Sequence, residues 1–408
     1  TGNGGLKSAK IINATMAKDS VIHADGVDGQ VITLNAVNSD NETLTVFLNA
    51  SKLETLNVTG KSPIIIDISG EDISTETITN DNTNTVLRMA SSSSDLSNGA
   101  TNIKYFLSNQ DGEAITLKNG QNYFLDAEVS QTASIKKPKF LHFLDATNST
   151  SNSMNIKTHD SNSSNADTTV TLAGLEFVDI QTLNLELSNG ISIESTGDFV
   201  GKDLTKLVVT GAGNFDLSES TISGDTLTGV QLDASSLVGE VKIKLDGTID
   251  GVRNVKTGNG ADTIIIDTTS NATAGIVIST NNDKDTIQLT KNADGPNAKL
   301  NIDGGNQDDI LLLDAGVDLG ATNLTLVNIE KIMLKGGGAS QIMSSSDISG
   351  KAFEISEGNY GIAQLTINAD QTSVDLSSLT FDASYTPSVD TVIVNSANSN
   401  AGVTIIGA

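Results

Sequence analysis

Fifty Asp and Glu against 24 Lys and Arg give this 408-residue chain a net charge of -26, and a surface of that sign repels nucleic acid. With no cysteine at all, disulfides, thiolate metal sites and cysteine nucleophiles are excluded, and any bound metal falls to oxygen ligands or to the three histidines. Aromatic residues are 3% of the chain and tryptophan is absent, which leaves few stacking surfaces for bases or sugars. No apolar run reaches the length needed to cross a bilayer.

Short runs rich in Val, Ile, Leu and Thr, separated by Gly, Asn, Asp and Ser, recur throughout, and helical periodicity is almost absent, so the chain is predicted to be all-β. With 37 glycines and four prolines, its turns are expected to rely on left-handed Gly and Asn rather than on proline. Residues 1–145 carry strands at uneven spacing, among them VITL from Val31, TLTVFL from Thr43 and AITL from Ala114. They predict an irregular β lobe, either a distorted solenoid or a sandwich. At its end the only dense basic patch, Lys136, Lys137 and Lys139, reads as a solvated turn; contact with anionic sugar or lipid phosphate is the sharper reading. Residues 146–169, rich in Ser and Asn and poor in apolar side chains, predict a long loop or boundary. His23, His142 and His159 have no paired spacing and read as surface or turn residues.

One internal repeat runs through much of the chain, and from about residue 170 to 408 it predicts a β-solenoid. Leu53-Glu-Thr-Leu-Asn-Val, Ile180-Gln-Thr-Leu-Asn-Leu, Leu204-Thr-Lys-Leu-Val-Val, Ile329-Glu-Lys-Ile-Met-Leu and Ile362-Ala-Gln-Leu-Thr-Ile each alternate along a strand, and a short turn then leads to a second strand. That is the pattern of coils stacked in a solenoid.

Within it, residues 252–315 hold three acidic turns that run straight into strands: TGNGADTIIID, TNNDKDTIQLT and GGNQDDILLLD. The first matches the nonapeptide G-G-x-G-x-D-x-U-x except at Thr257. Aligned on the last acid they place Asp262, Asp285 and Asp309 one coil apart. Small residues let backbone carbonyls converge while the Asp supplies a carboxylate, which suits calcium better than the strictly octahedral magnesium ion. The candidate ligand loops are Thr257, Gly258, Asn259, Gly260 and Asp262; Thr280, Asn281, Asn282, Asp283 and Asp285; and Gly304, Gly305, Asn306, Asp308 and Asp309. One Ca2+ is expected between Asp262 and Asp285 and another between Asp285 and Asp309. Adjacent coils lie about 4.8 Å apart, where two bare carboxylates repel by about 3 kcal/mol at an effective dielectric near 20, so the ion and the local fold are expected to be coupled. Glu330 falls one coil further on. The poorer acidic turns at Glu42, Glu113 and Asp167 are not expected to bind calcium.

The nucleophile elbow, the zinc-protease helix and the phosphate loop are all missing, and no catalytic residues are assigned. In its GNGADTIII-type turns, its [LI]-E-[TK]-[LI]-x-[VL] strands, its lack of cysteine and its Asn, Thr, Ser and Ala bias, the chain resembles RTX-type surface-layer proteins of Gram-negative bacteria. That resemblance implies an elongated right-handed parallel β-solenoid with β-roll coils of about 21–24 residues. It also implies type I secretion, an extracellular place on the cell surface, and calcium-dependent self-association into a two-dimensional lattice held on lipopolysaccharide. No secretion signal or anchoring domain is recognisable, so a lattice-forming core is expected, with lipopolysaccharide contact made by parts outside this chain. An RTX-type adhesin and a calcium-stabilised secreted polysaccharide-acting enzyme are the alternatives.

Overall fold

A computed structural model describes residues 11–15, 20–25, 31–37, 44–49, 55–60, 64–68, 77–80, 85–89, 94–95, 104–107, 114–117, 122–126, 140–143, 152–159, 169–172, 174–178, 180–224, 229–245, 252–267, 275–290, 299–358, 361–396 and 402–407. The chain forms two compact units, residues 1–204 and 205–408. Both are stacks of coils whose strands pair in parallel, so the expected β-solenoid is the architecture observed.

In the first unit one ladder climbs through Ser20–Asp25, Leu44–Asn49, Ile64–Ile68 and Thr85–Met89 to Lys104–Leu107 and Asn122–Asp126. A second runs through Ile11–Thr15, Val31–Val37, Thr55–Gly60 and Thr77–Asn80. Alternate residues point inward, and Ile32, Leu34, Leu56, Val58, Ile64 and Ile66 are fully buried. The expected irregularity lies in coil length. Paired positions Leu44–Ile64–Thr85 lie 20 and 21 residues apart, Val86–Lys104–Asn122 lie 18 and 18 apart, and Tyr123–Ile156 lie 33 apart.

The stretch 146–169, expected as a loop, carries a strand, Ser153–His159, paired between Asn122–Asp126 and Thr182–Leu187. Its inward positions include the polar Asn152 and Thr158 beside Met154 and Ile156, which dilutes the apolar signal. Thr158 Oγ1 accepts Ser188 N–H (2.8 Å), and the backbone N–H of Asn152 donates to Gln181 Oε1 (2.7 Å). His23, His142 and His159 all fall within strands. Lys136, Lys137, Lys139, Glu42, Glu113 and Asp167 lie outside the described residues.

In the second unit a first ladder runs through Lys206–Gly211, Val230–Leu237, Val252–Lys256, Ile276–Ser279, Lys299–Asp303 and Asn323–Val327. A second runs through Phe215–Leu217, Val241–Leu245, Thr263–Ile266, Thr286–Leu289, Ile310–Leu313, Lys331–Leu334, Glu354–Ser356 and Thr380–Phe381. Between them, aliphatic side chains stack in files such as Ile243–Ile264–Ile287–Leu311–Ile332–Ile355, each fully buried. At about 1.5–3 kcal/mol per buried aliphatic side chain, these files are what hold coil to coil. From Gln341 the coils widen: strands Gln341–Ser344, Gln364–Asn368 and Thr391–Asn395 open a further ladder. A single helical turn, Ser345–Ile348, turns the chain after its first strand.

Candidate metal centre

Each acidic turn is a six-residue corner joining a first-ladder strand to a second-ladder strand. A corner that tight needs left-handed backbone, and the fourth position supplies it in every copy: Gly260 at φ 111°, Asp283 at 71° and Gln307 at 83°. At the second position Asn281 and Gly305 are left-handed as well, at 75° and 92°. The departures from glycine in the second and third loops therefore keep the loop conformation, at the strain a side chain costs there. Where glycine remains, space is the reason: a Cβ on Gly258 would stand 2.2 Å from Leu237 O, and one on Gly305 2.2 Å from Asn281 O.

The sixth position of each corner turns inward. Asp262, Asp285 and Asp309 are 1%, 0% and 0% exposed and form a directional ladder. Asp262 Oδ1 accepts Val241 N–H (2.7 Å), Asp285 Oδ1 accepts Asp262 N–H (2.7 Å), and Asp309 Oδ1 accepts Asp285 N–H (2.8 Å). Glu330 continues it, its Oε2 accepting Asp309 N–H at 2.9 Å. One oxygen of each aspartate is thus committed to holding the neighbouring coil.

The other oxygen is not. Oδ2 of Asp262, Asp285 and Asp309 is buried without a hydrogen-bond partner, as is Thr257 Oγ1. Burial pushes Asp262 and Asp309 up to about 6 and Asp285 up to about 7, against the backbone amides and, at Asp262 and Asp285, the Thr257 and Thr280 hydroxyls that favour the charged form, with neighbouring carboxylates adding a smaller rise. An orphaned buried carboxylate oxygen costs several kcal/mol unless a proton or a cation meets it.

The fifteen candidate ligands divide by position. Thr257, Gly258, Asp262, Thr280, Asp285, Gly304 and Asp309 are buried along the inner side of the corners. Gly304 packs directly on the acid file, since a Cβ there would meet Asp309 Oδ2 at 2.5 Å. The other eight lie on the outer side. Asn259, Asn282 and Asn306 form a side-chain amide ladder, Asn282 Nδ2 donating to Asn259 Oδ1 (2.7 Å) and Asn306 Nδ2 to Asn282 Oδ1 (2.8 Å). Asp283 accepts from Gly260 N (3.1 Å) and Gln307 Nε2 (3.0 Å), so its carboxylate secures the corner from outside, while Asn281 and Asp308 are exposed and Gly260 and Gly305 half-buried.

The inner set fits a hard cation. It offers carboxylate, hydroxyl and backbone carbonyl oxygens, the donor types calcium takes. Gly258 O already accepts Asn282 N (3.3 Å) and Gly304 O accepts Thr280 Oγ1 (2.8 Å), but a carbonyl keeps a second lone pair. Among the described residues no three Asp, Glu or His side chains converge as a ready-made cluster. An ion between two coils would therefore draw on two aspartates and fill its shell from the backbone.

Sequence reading missed a fourth buried aspartate of the same type. Asp390, 3% exposed, opens Asp390-Thr-Val-Ile-Val as Asp262 opens Asp262-Thr-Ile-Ile-Ile. Its Oδ1 accepts Ala363 N (2.8 Å) and its Oδ2 accepts Thr386 N (2.6 Å). With both oxygens satisfied by backbone, Asp390 needs no ion. The acid-Thr-aliphatic signature was the available signal. A second missed motif is Asp-x-Ser: Ser218, Ser235, Ser377 and Ser384 each donate a backbone N–H to the carboxylate two residues before, at strand ends for Ser218, Ser377 and Ser384 and within the strand Val230–Leu237 for Ser235.

Comparison of the chain with family models, with characterised proteins and with solved structures gave no match. No helix among the described residues is long and apolar enough to cross a membrane.

Proposed function

We propose that this chain is a structural protein of a bacterial surface layer, an extracellular solenoid that self-associates into a two-dimensional lattice and carries structural calcium between its stacked acidic corners. The observation that carries the reading is the file of three buried aspartates, each with one oxygen bound to the preceding coil and one without a partner. A cation between successive Oδ2 atoms cancels the repulsion along the file and ties coil to coil, so calcium acts as a fold-setting ligand. Thr257 and Thr280 stand beside the first two carboxylates, and backbone carbonyls complete the shell. The role is mechanical: regular coils present repeating side faces suited to packing copies together.

The test is electron microscopy and circular dichroism of the purified chain in calcium and in chelator. Ordered sheets in calcium that disperse in chelator, with loss of β signal, support the reading. Folding and assembly that are indifferent to chelation refute it.

A further inference from the structure

Each acid of the buried file turns Oδ1 back to the coil before it. At Asp309 the orphaned Oδ2 stands beside the coil that follows. A Cβ placed on Gly304 would be 2.5 Å from Asp309 Oδ2 and 2.2 Å from Asn328 O. That point is too close to the Gly304 backbone to hold an ion, but the two oxygens face the same space across the coil boundary.

The first ladder aligns Thr257, Thr280 and Gly304 as the opening residues of the three corners, since Lys256 pairs near Ser279 and Ser279 pairs with Asp303. The hydroxyls of Thr257 and Thr280 favour the charged form of Asp262 and Asp285. Gly304 brings no hydroxyl to Asp309, and leaves room in its place. The next corner is also shorter. Asp303 pairs with Val327, and the acid that followed six residues later at Asp309 follows three residues later at Glu330. A single left-handed residue, Asn328 at φ 50°, makes the turn. Two hydrogen bonds pin it against the acid file: Asn328 Nδ2 donates to Asp303 Oδ1 (2.8 Å), and Glu330 Oε2 accepts Asp309 N–H (2.9 Å).

The charge around this corner is one-sided. Glu330, Asp308 and Asp303 all act on Asp309 as like charges, while Lys331, next in the chain, is engaged by Glu354 (2.8 Å) and Asp382 (2.6 Å). Glu330 is exposed, whereas Asp262 and Asp285 are sealed inside the coils.

We propose that Asp309 Oδ2, Asn328 O and the Glu330 carboxylate form a third calcium site, at the solvent-reached end of the acid file. The inference rests on the proposed calcium in the buried corners and adds an ion where the nonapeptide pattern marks none. Water completes the shell, since calcium takes about six to eight oxygens and accepts water among them. The ions farther along the file are enclosed by coils, so this is the one that bulk calcium reaches without opening the fold.

Equilibrium dialysis of the full chain against calcium, with bound metal counted by mass spectrometry, tests the site through Glu330→Gln, whose amide carbonyl can keep the bond to Asp309 N–H. The variant is expected to bind one ion at least tenfold more weakly than wild type, with the other ions and the circular dichroism unchanged. In wild type, a brief chelator pulse is expected to release one ion at least tenfold faster than the rest, and Glu330→Gln to lack that fast release. A variant that matches wild type in ion count and release overturns the third site and leaves calcium in the buried corners standing. A variant that loses every ion together with its fold makes Glu330 a support of the file, which also overturns the third site. Wild-type chain that binds no calcium overturns both.

Discussion

Replacing Asp285 by Asn changes one buried group and gives opposite results in two buffers. Asp285 Oδ1 holds Asp262 N–H at 2.7 Å, and an Asn side-chain carbonyl keeps that bond. What changes is the orphaned Oδ2, which becomes an amide NH2. Burial raises the carboxyl from an ordinary 3.8 to about 7. At about 1.4 kcal/mol per pH unit, the ionised group at pH 7.5 opposes the metal-free fold by about 4 kcal/mol. The sign follows from proton binding: between about pH 4 and 7 the folded chain holds a proton that the unfolded chain has released, so metal-free stability falls as pH rises. Below pH 4 both states are protonated and the penalty vanishes. Burying the unpaired amide costs about 1–3 kcal/mol, so in chelator Asp285→Asn stabilises by about 1–3 kcal/mol. In calcium the same change removes a ligand shared by two sites, each contributing about 2.7 kcal/mol at a hundredfold excess over Kd, and the variant is the less stable protein. Urea unfolding followed by circular dichroism at pH 7.5, with calcium and with chelator, reads both effects. A shift of the same sign in the two buffers refutes the cation-bridged file.

Asp390→Ala serves as a contrast. It strands the amides of Ala363 and Thr386 and costs about 2–4 kcal/mol, equally with calcium and with chelator, in the same unfolding assay. Lys331→Met removes the tie from Lys331 to Glu354 (2.8 Å) and Asp382 (2.6 Å), one and two coils on; for a partly exposed cluster the loss is about 1 kcal/mol and shrinks in high salt. Burial works against ionisation of Asp382, yet hydrogen bonds from Lys331, Ser356 and Ser384 hold its carboxyl below the usual range. Its contribution is therefore present above about pH 4 and lost on acidification, which an acid unfolding series of wild type against Asp382→Asn detects. Gly305→Ala forces a side chain into left-handed backbone and against Asn281 O. It is expected to cost about 2–4 kcal/mol, seen as a lower urea midpoint with or without calcium.

Where one residue type filled one role coil after coil, the sequence was readable. Ile264, Ile287 and Leu311 do align across successive strands, as do Ile276, Leu300 and Leu324 on the return, and Glu330 does take the place of the acids before it. Those positions repeat because each coil must present the same inward face to the next. Legibility failed where a polar group did an apolar residue's work. Thr158 and Asn152 fill core positions, so a strand read as a loop. Asp390 closes its corner through two backbone amides contributed partly by a distant segment, Ala363, which no local pattern displays. The division of the fifteen loop residues into an inner file and an outer amide ladder was equally hidden, since it depends on which way each left-handed residue turns its neighbours.

Hydrogen exchange over residues 257–313, in calcium and in chelator, reaches the central claim most directly. Amides of Asp262, Asp285 and Ile310, which bond across coils at the acid corners, are predicted to exchange at least a hundredfold more slowly in calcium than in chelator at pH 7.5, while the amides of Ala363 and Thr391 change little. Equal exchange at the acid corners in the two buffers would contradict a cation-held file.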